Sequence, residues 1–294
     1  MTNTLGFTFK LKEKDISYVG HDLSRPECVV LTPDGTIWTS DNRASAMRIE
    51  PSGQQTLFGP KLGTSNGLAF DRQGILYVAD IDAECVYRVF HDGRHEIVCD
   101  QLNGAVNFVY FDQQGQLWIT VSTKTKPRAD AVAKPIDDGY VLTFSSSGLK
   151  VVSQNICFTN EIRIDSITGK LFISETALGR VLCHQIKPDG SLGDATVFGP
   201  DTLFPGAIID GICFDAMGNL WVTEITRNSI HVISPSGLAN CIFEDPSGLI
   251  VNCPTSIAFG GEDMRTVYVG SLKMNRLVSF RAPYPGQTMH HFRA

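Results

Sequence analysis

The stretch Ile208-Ile209-Asp210-Gly211-Ile212-Cys213-Phe214-Asp215-Ala216-Met217-Gly218-Asn219-Leu220-Trp221-Val222 decides how the chain is read. It holds a polar head (Asp210), an apolar run, an Asp-x-x-Gly turn at 215–218 and a second apolar run carrying Trp221. The same phrase stands at five other places. It opens at Pro26-Glu27 and passes Pro33-Asp34-Gly35 to reach Ile37-Trp38-Thr39. It opens again at Ser65-Asn66-Gly67, with its aromatic at Tyr77, and at Val106-Asn107-Phe108, with its aromatic at Trp118. Two further copies open at Thr159-Asn160-Glu161 and Pro254-Thr255-Ser256, with Phe172 and Tyr268 in the aromatic place. The heads at 27, 66, 107, 160, 210 and 255 are separated by 39, 41, 53, 50 and 45 residues. Self-similarity at this period marks a propeller or a solenoid.

Short β-branched and aromatic runs bounded by Asp and Gly are strands, and two such runs joined by Asp-x-x-Gly make a hairpin. A second pair follows most hairpins, turned at Ser52-Gly53, Asp92-Gly93, Ser147-Gly148, Asp189-Gly190 and Ser236-Gly237. Four strands per unit is the content of one propeller blade. The sequence therefore predicts an all-β fold. It is a single six-bladed β-propeller domain over residues 1–294, with four-stranded antiparallel blades starting near 27, 66, 107, 160, 210 and 255. The last unit is one strand short, so a strand at 7–11 or 16–19 is expected to close the ring, leaving 283–294 as a peripheral tail. The loop 122–138 follows a second strand and is expected to hang over the heads as a lid.

Composition narrows the function classes. The chain is 43% hydrophobic and 19% charged over 294 residues, enough for a large core. A formal charge of −6, scattered along the sequence, points to neither nucleic acid nor an anionic membrane as partner. No run approaches the ~18 apolar residues of a membrane span. The first fourteen residues alternate and carry charge, so no signal peptide is expected and the cytoplasm is the expected location. Eight cysteines without a Cys-x-x-Cys pair, most of them inside apolar runs, read as buried free thiols.

First strands of blades lie nearest the axis, so the six heads Glu27, Asn66, Asn107, Asn160, Asp210 and Thr255 converge on one channel mouth. No Lys or Arg stands at a head position. Buried carboxylates need a partner, and one divalent cation among oxygen donors is the simplest. Oxygen ligands favour Ca²⁺, with Mg²⁺, Mn²⁺ or Zn²⁺ behind it. For Asn66 a plain Asx-turn is an equally simple reading. The acids ending second strands, Asp41, Asp80, Glu175 and Glu224, fall toward the same face, where they either line the pocket or end strands in solvent. Gly63-Thr64-Ser65-Asn66-Gly67 imitates a nucleophile elbow, but a strand rather than a helix follows it.

These motifs, above all Pro26-Glu27, Thr159-Asn160-Glu161, Ile209-Asp210-Gly211 and Ile257-Ala258-Phe259-Gly260-Gly261, resemble the SMP-30/gluconolactonase/luciferin-regenerating-enzyme family of six-bladed propellers. The resemblance implies that Glu27, Asn160 and Asp210 are metal ligands and that Asn107 touches metal, water or substrate. It implies hydrolysis of lactones, or in related phosphotriesterases of P–O or P–F bonds. Departures fall on the substrate side. Ala105 stands where sugar-lactone members carry Arg, Phe108 where Asp is common, and Glu161 where Gly is usual. With Asn66 and Asn107 these residues are the candidate substrate contacts, and they suit an apolar or aromatic lactone as well as a sugar lactone. Asp210 and Asn107 are the candidate catalytic residues. The expected enzyme is a lactonase acting on a small lactone or ester, as a monomer or small homo-oligomer. The alternatives are metal-dependent isomerase or lyase chemistry at the same site, or a non-enzymatic binding protein.

Overall fold

The computed structural model describes residues 7–292. Its strands form six four-stranded antiparallel sheets. The first strands, Val29–Leu31, Ser65–Phe70, Val106–Phe111, Thr159–Ile164, Ile209–Phe214 and Pro254–Gly260, touch one another in succession and form the inner wall of a closed ring. The architecture is a six-bladed β-propeller.

The repeated phrase encodes its own turn. Asp112 accepts the N–H groups of Gln114 and Gln116 at 2.9 Å and Trp118 Nε1–H at 2.9 Å. Asp215 does the same with Met217, Asn219 and Trp221 Nε1. Gly115 and Gly218 sit at φ +85° and +79°, where a side chain is strained, and donate back to the Asp carbonyl. One carboxylate thus closes the hairpin and anchors the aromatic that packs between blades. Trp221, fully buried, meets Phe7, Phe259 and Phe280.

A second device aims the heads. In the Asn66, Asn160, Asp210 and Thr255 blades the ladder pairs residues 65, 159, 209 and 254, then resumes only at 68, 162, 212 and 257. The Asn107 blade has a smaller shift between 106 and 108. Bulges break the alternation of a strand and re-aim a side chain. Here they fall at the head, blade after blade.

Ring closure uses the second of the two segments expected for it. Ser17–Val19 pairs with Leu277–Arg281 as the outer strand of the last blade. Residues 7–11 instead run past the fifth blade, where Leu11 N–H donates to the Ile242 carbonyl at 3.0 Å.

The expected peripheral tail is no such thing. Residues 283–292 cross the turn face as a strap. Gly286 N–H bonds Met264 O, and Gln287 N–H bonds Phe214 O, while the Gln287 amide bonds Asp165 Oδ1 at 2.7 Å. Gln113 Nε2–H donates to Thr288 O, His290 stacks on Phe111 and His291 Nε2 bonds Leu31 O at 2.6 Å. The strap holds because polar groups on five of the blades pair with its backbone and with the Gln287 and His291 side chains.

Candidate functional site

The opposite face carries the heads, all of them buried. Asn66 is engaged at both ends of its amide. Its Nδ2–H donates to Asn107 O at 3.0 Å and its Oδ1 accepts from Arg25 Nη2 at 2.9 Å. Thr255 Oγ1–H donates to Glu27 O at 2.7 Å, tying the last blade to the first. Asn160 Nδ2–H donates to Thr176 Oγ1 at 3.2 Å.

Glu27, Asn160, Glu161 and Asp210 form one electrostatic cluster. Burial pushes the Asp210 carboxyl well above the usual range, and repulsion from Glu27 and Glu161 adds to it. Arg25 and the Asn160 amide offset this only in part. Glu161 is raised too, by burial first, despite its ion pair with Arg163 at 3.0 Å. Its Oε2 also accepts Ile212 N–H at 3.3 Å from the next blade. Arg163 lies over the Phe108 ring at 4.8 Å and over Tyr110 at 5.7 Å. Phe108 therefore faces down the axis and supports Arg163 below the heads. Beneath, the channel narrows to a cavity of about 30 Å³ that the strap closes with Met289, His291 and Phe292. That is room for about one water.

Two guanidinium groups thus enter a cluster that reads as purely acidic and amidic at its heads. Arg163 stands two residues after Glu161 on the same strand, and that short spacing was the signal for it in the sequence. Arg25 stands two residues before Glu27, off any strand, and pairs with the Glu27 carboxylate. Glu27 Oε2 is buried and makes no well-formed hydrogen bond even so.

Do these residues fit a divalent cation? The donor set is all oxygen, and Asp210 is a buried carboxylate under repulsion from Glu27 and Glu161, so the fit is chemically sound. Among the described residues no group of three or more His, Cys, Asp or Glu is placed to hold a metal, so amide oxygens such as that of Asn160 would complete the set.

The strand-end acids have another role than the two expected for them. Asp80 is fully buried and accepts N–H groups from Gly63, Thr64 and Ala83 at 2.8–2.9 Å. Glu224 accepts from Ile208, Thr226 and Arg227 N–H and from Ser229 Oγ–H. Glu175 binds Cys157 N–H and Arg180, and Asp41 binds Ser24 N–H and Arg43. They neither line the mouth nor face solvent. They clamp the loop entering each blade, because a loop folded over a strand end leaves backbone N–H groups that need an acceptor. Gly63 of the imitation elbow belongs to this clamp, since a Cβ there would stand 2.4 Å from Asp80 Oδ1.

The loop 122–138 docks over this face. Asp138 binds Thr123 Oγ1, Lys124 N and Thr125 Oγ1. Lys126 pairs with Glu84 and Arg128 with Asp82, both on the second blade. The short helix Asp130–Ala133 rests on the turn Thr176–Leu178 of the fourth. Ala105 pairs its backbone with residues 122 and 123 at the base of the lid. It lines a hollow of about 530 Å³ with Ile81, Asp82, Thr125, Lys126 and Arg128. That volume suits a small molecule. Glu27, Asn160 and Asp210 gather at the axis, Asn66 and Asn107 adjoin them, Ala105 stands apart in the hollow and Phe108 lies below.

Comparison with known proteins agrees with this architecture. The family model described as SMP-30/Gluconolactonase/LRE-like region matches residues 90–273. The chain is 26% identical over 136 residues to a 6-deoxy-6-sulfogluconolactonase of Pseudomonas putida, covering 46% of this chain and 45% of that protein. It is 29% identical over 162 residues to a diisopropyl-fluorophosphatase of Loligo vulgaris, covering 51% of each. The matches thus span about half the length of these curated relatives. The solved structure of regucalcin from Agrobacterium tumefaciens, described as a calcium-binding protein, superposes with a TM-score of 0.74 over 97% of both chains at 18% identity. That likeness is one of fold.

Proposed function

The chain belongs to the SMP-30/gluconolactonase/LRE-like family, and we propose that it is a divalent-metal-dependent hydrolase opening a small lactone or ester. The observation that carries this reading is Asp210, a buried carboxylate held beside Glu27 and Asn160 with too little positive charge around it. Names of relatives, a sulfogluconolactonase and a fluorophosphatase, support hydrolysis at a carbonyl or phosphorus centre. Glu27, Asn160 and Asp210 would hold the cation, Ca²⁺ first. When bound, such a cation supplies a Lewis acid for the substrate oxygen and lowers the pKa of a water.

The chain's own residues do the rest. Asn107, buried between the second and fourth blades, orients the carbonyl or the attacking water from the ring wall. Glu161, pinned by Arg163 and the Ile212 N–H, adds a fixed negative field below the reacting centre, favouring whatever positive charge sits at the ring. The lid bounds a hollow beside the ring, in which Ala105 is a small, apolar wall. A substrate lacking a charged group near that wall is favoured, because Lys126 and Arg128 are already paired. The eight free thiols suit a reducing compartment such as the cytoplasm.

Proton release from a panel of sugar, aliphatic and aromatic lactones, before and after chelation, tests the reading. Release that stops with chelator and returns with one divalent metal is the expected result. Lactones left intact by metal-loaded protein would overturn it.

A further inference from the structure

We propose that Arg25 is the resident counter-cation of the ring, and that its guanidinium and a divalent cation compete for Glu27. The inference rests on the metal-dependent reading above and names what regulates that site.

Arg25 is positioned at a conformational cost. Its φ is +56°, the left-handed region that a side chain of this size seldom adopts. The turn is held by Glu27 N–H donating to Arg25 O at 2.8 Å and by Ser40 Oγ, which accepts both Glu27 N–H and Cys28 N–H. Strain that the surroundings maintain is a pointer to function. Its effect here is to lay the guanidinium on Glu27, Asn66 Oδ1 and Ser65 O, bridging the first two blades at the mouth of the channel.

Charge then decides what the arrangement can do. Three carboxylates, Glu27, Glu161 and Asp210, face two guanidinium groups, Arg25 and Arg163. Adding a divalent cation with both arginines in place leaves the cluster with a net positive charge. Adding it while Arg25 withdraws leaves the cluster neutral. In a low-dielectric ring the neutral arrangement is strongly preferred. Arg163 cannot be the group that leaves. It is buried on the axis, bonded to Glu161 and Ile162 O and lying over two aromatic rings. Arg25 can, since its side chain is 18% exposed. An acceptor is within its electrostatic reach. Burial would raise Asp82, but Thr64 and Arg128, with Arg25 beyond them, hold it below the usual carboxylate range. The guanidinium therefore acts as a latch on Glu27 that metal displaces. It sets the threshold concentration of metal without touching the chemistry.

Calcium chloride titrated calorimetrically into the chelator-stripped full-length chain tests this directly. Arg25→Met is expected to bind Ca²⁺ about tenfold more tightly than the parent, or more, because no cation has to be displaced. Arg25→Lys keeps the charge but loses the planar fork, and is expected to fall between the two. Equal or weaker binding by Arg25→Met would overturn the latch while leaving the metal-dependent hydrolase intact. If neither parent nor variant binds Ca²⁺, Mg²⁺ or Mn²⁺, both readings fall. Should Arg25→Met fail to fold, Asn66→Ala serves in its place. It frees one grip on the guanidinium and should tighten binding several-fold, and an unchanged constant there overturns the latch equally.

Discussion

Two concentric sets of acids stand on the head face, and they are built in opposite ways. The outer set, Asp41, Asp80, Glu175 and Glu224, is buried and saturated, each carboxylate taking donors from the loop it clamps. The inner set, Glu27, Glu161 and Asp210, is buried too, but its acids press on one another. Asp210 is raised by burial and by repulsion from Glu27 and Glu161, and the compensation comes from Arg25 on Glu27, Arg163 on Glu161 and the Asn160 amide beside Asp210. Burial alone does not mark an active site. A buried acid whose oxygens are filled by backbone is part of the scaffold, and one left short is waiting for a ligand.

The largest expected effect strikes the inner set. Asp210→Asn should lower kcat/KM by about 10³-fold or more, roughly 4 kcal/mol of transition-state stabilisation. The metal-free melting temperature should stay level or rise, since a destabilising charge has gone. Retention by that variant of most of the proposed lactone-opening rate would erase the distinction between the two sets.

Arg163 probes the boundary between them. Removing it alone strands Glu161 without its ion-pair partner, so Arg163→Met should cost about 3–5 kcal/mol in urea denaturation. The double variant Glu161→Gln, Arg163→Met should recover most of that. A single variant with parental stability would mean that Glu161 is already neutral or otherwise paired.

Asp80→Ala tests the outer set with the opposite signature. Three backbone N–H groups lose their acceptor, and stability should drop by about 3 kcal/mol, while turnover per folded molecule holds. Lost activity with intact stability would place Asp80 in the inner class.

The smallest effect is a pH dependence tied to the outer set through Glu224. Ser229 Oγ–H donates to Glu224 and Ser229 also contacts His231 Nε2 at 3.0 Å. Burial pushes the His231 imidazole down to about 4. The unfolded chain, with an ordinary histidine near 6.5, then binds the proton first as pH falls. Stability should decline between about 6.5 and 4, with ~2 kcal/mol gone by pH 5. His231→Gln should remove that slope in thermal melts taken across the range. A melting temperature flat in pH for the parent would refute it.

How far the sequence carried depended on range. Asp112, Asp215 and their glycines are legible because the bonds they make lie within six residues, so the phrase itself describes the turn. The heads are legible for a related reason, since a bulge repeated at one place in the blade keeps their spacing in register with the repeat. Arg25 escaped notice because it precedes the repeated phrase, off any strand, and its second partner, Asn66, lies forty-one residues on in a different blade. The strand-end acids were visible, but part of what saturates them, Gly63 and Thr64 N–H on Asp80 and Ile208 N–H on Glu224, comes from the loops that precede their blades, sixteen or seventeen residues away. No local pattern announces that. The tail was misjudged for the same reason, for His291 meets a carbonyl 260 positions away.

The strap also limits how far the ring can open. From Gln287, fixed to the fifth blade, to His291, fixed to the first, the chain takes four steps, a span of ~14 Å at full extension. The two anchor points can separate no farther than that while both bonds hold. It is a tether across the seam: the spread of the blades on either side of the closure is bounded by one short segment.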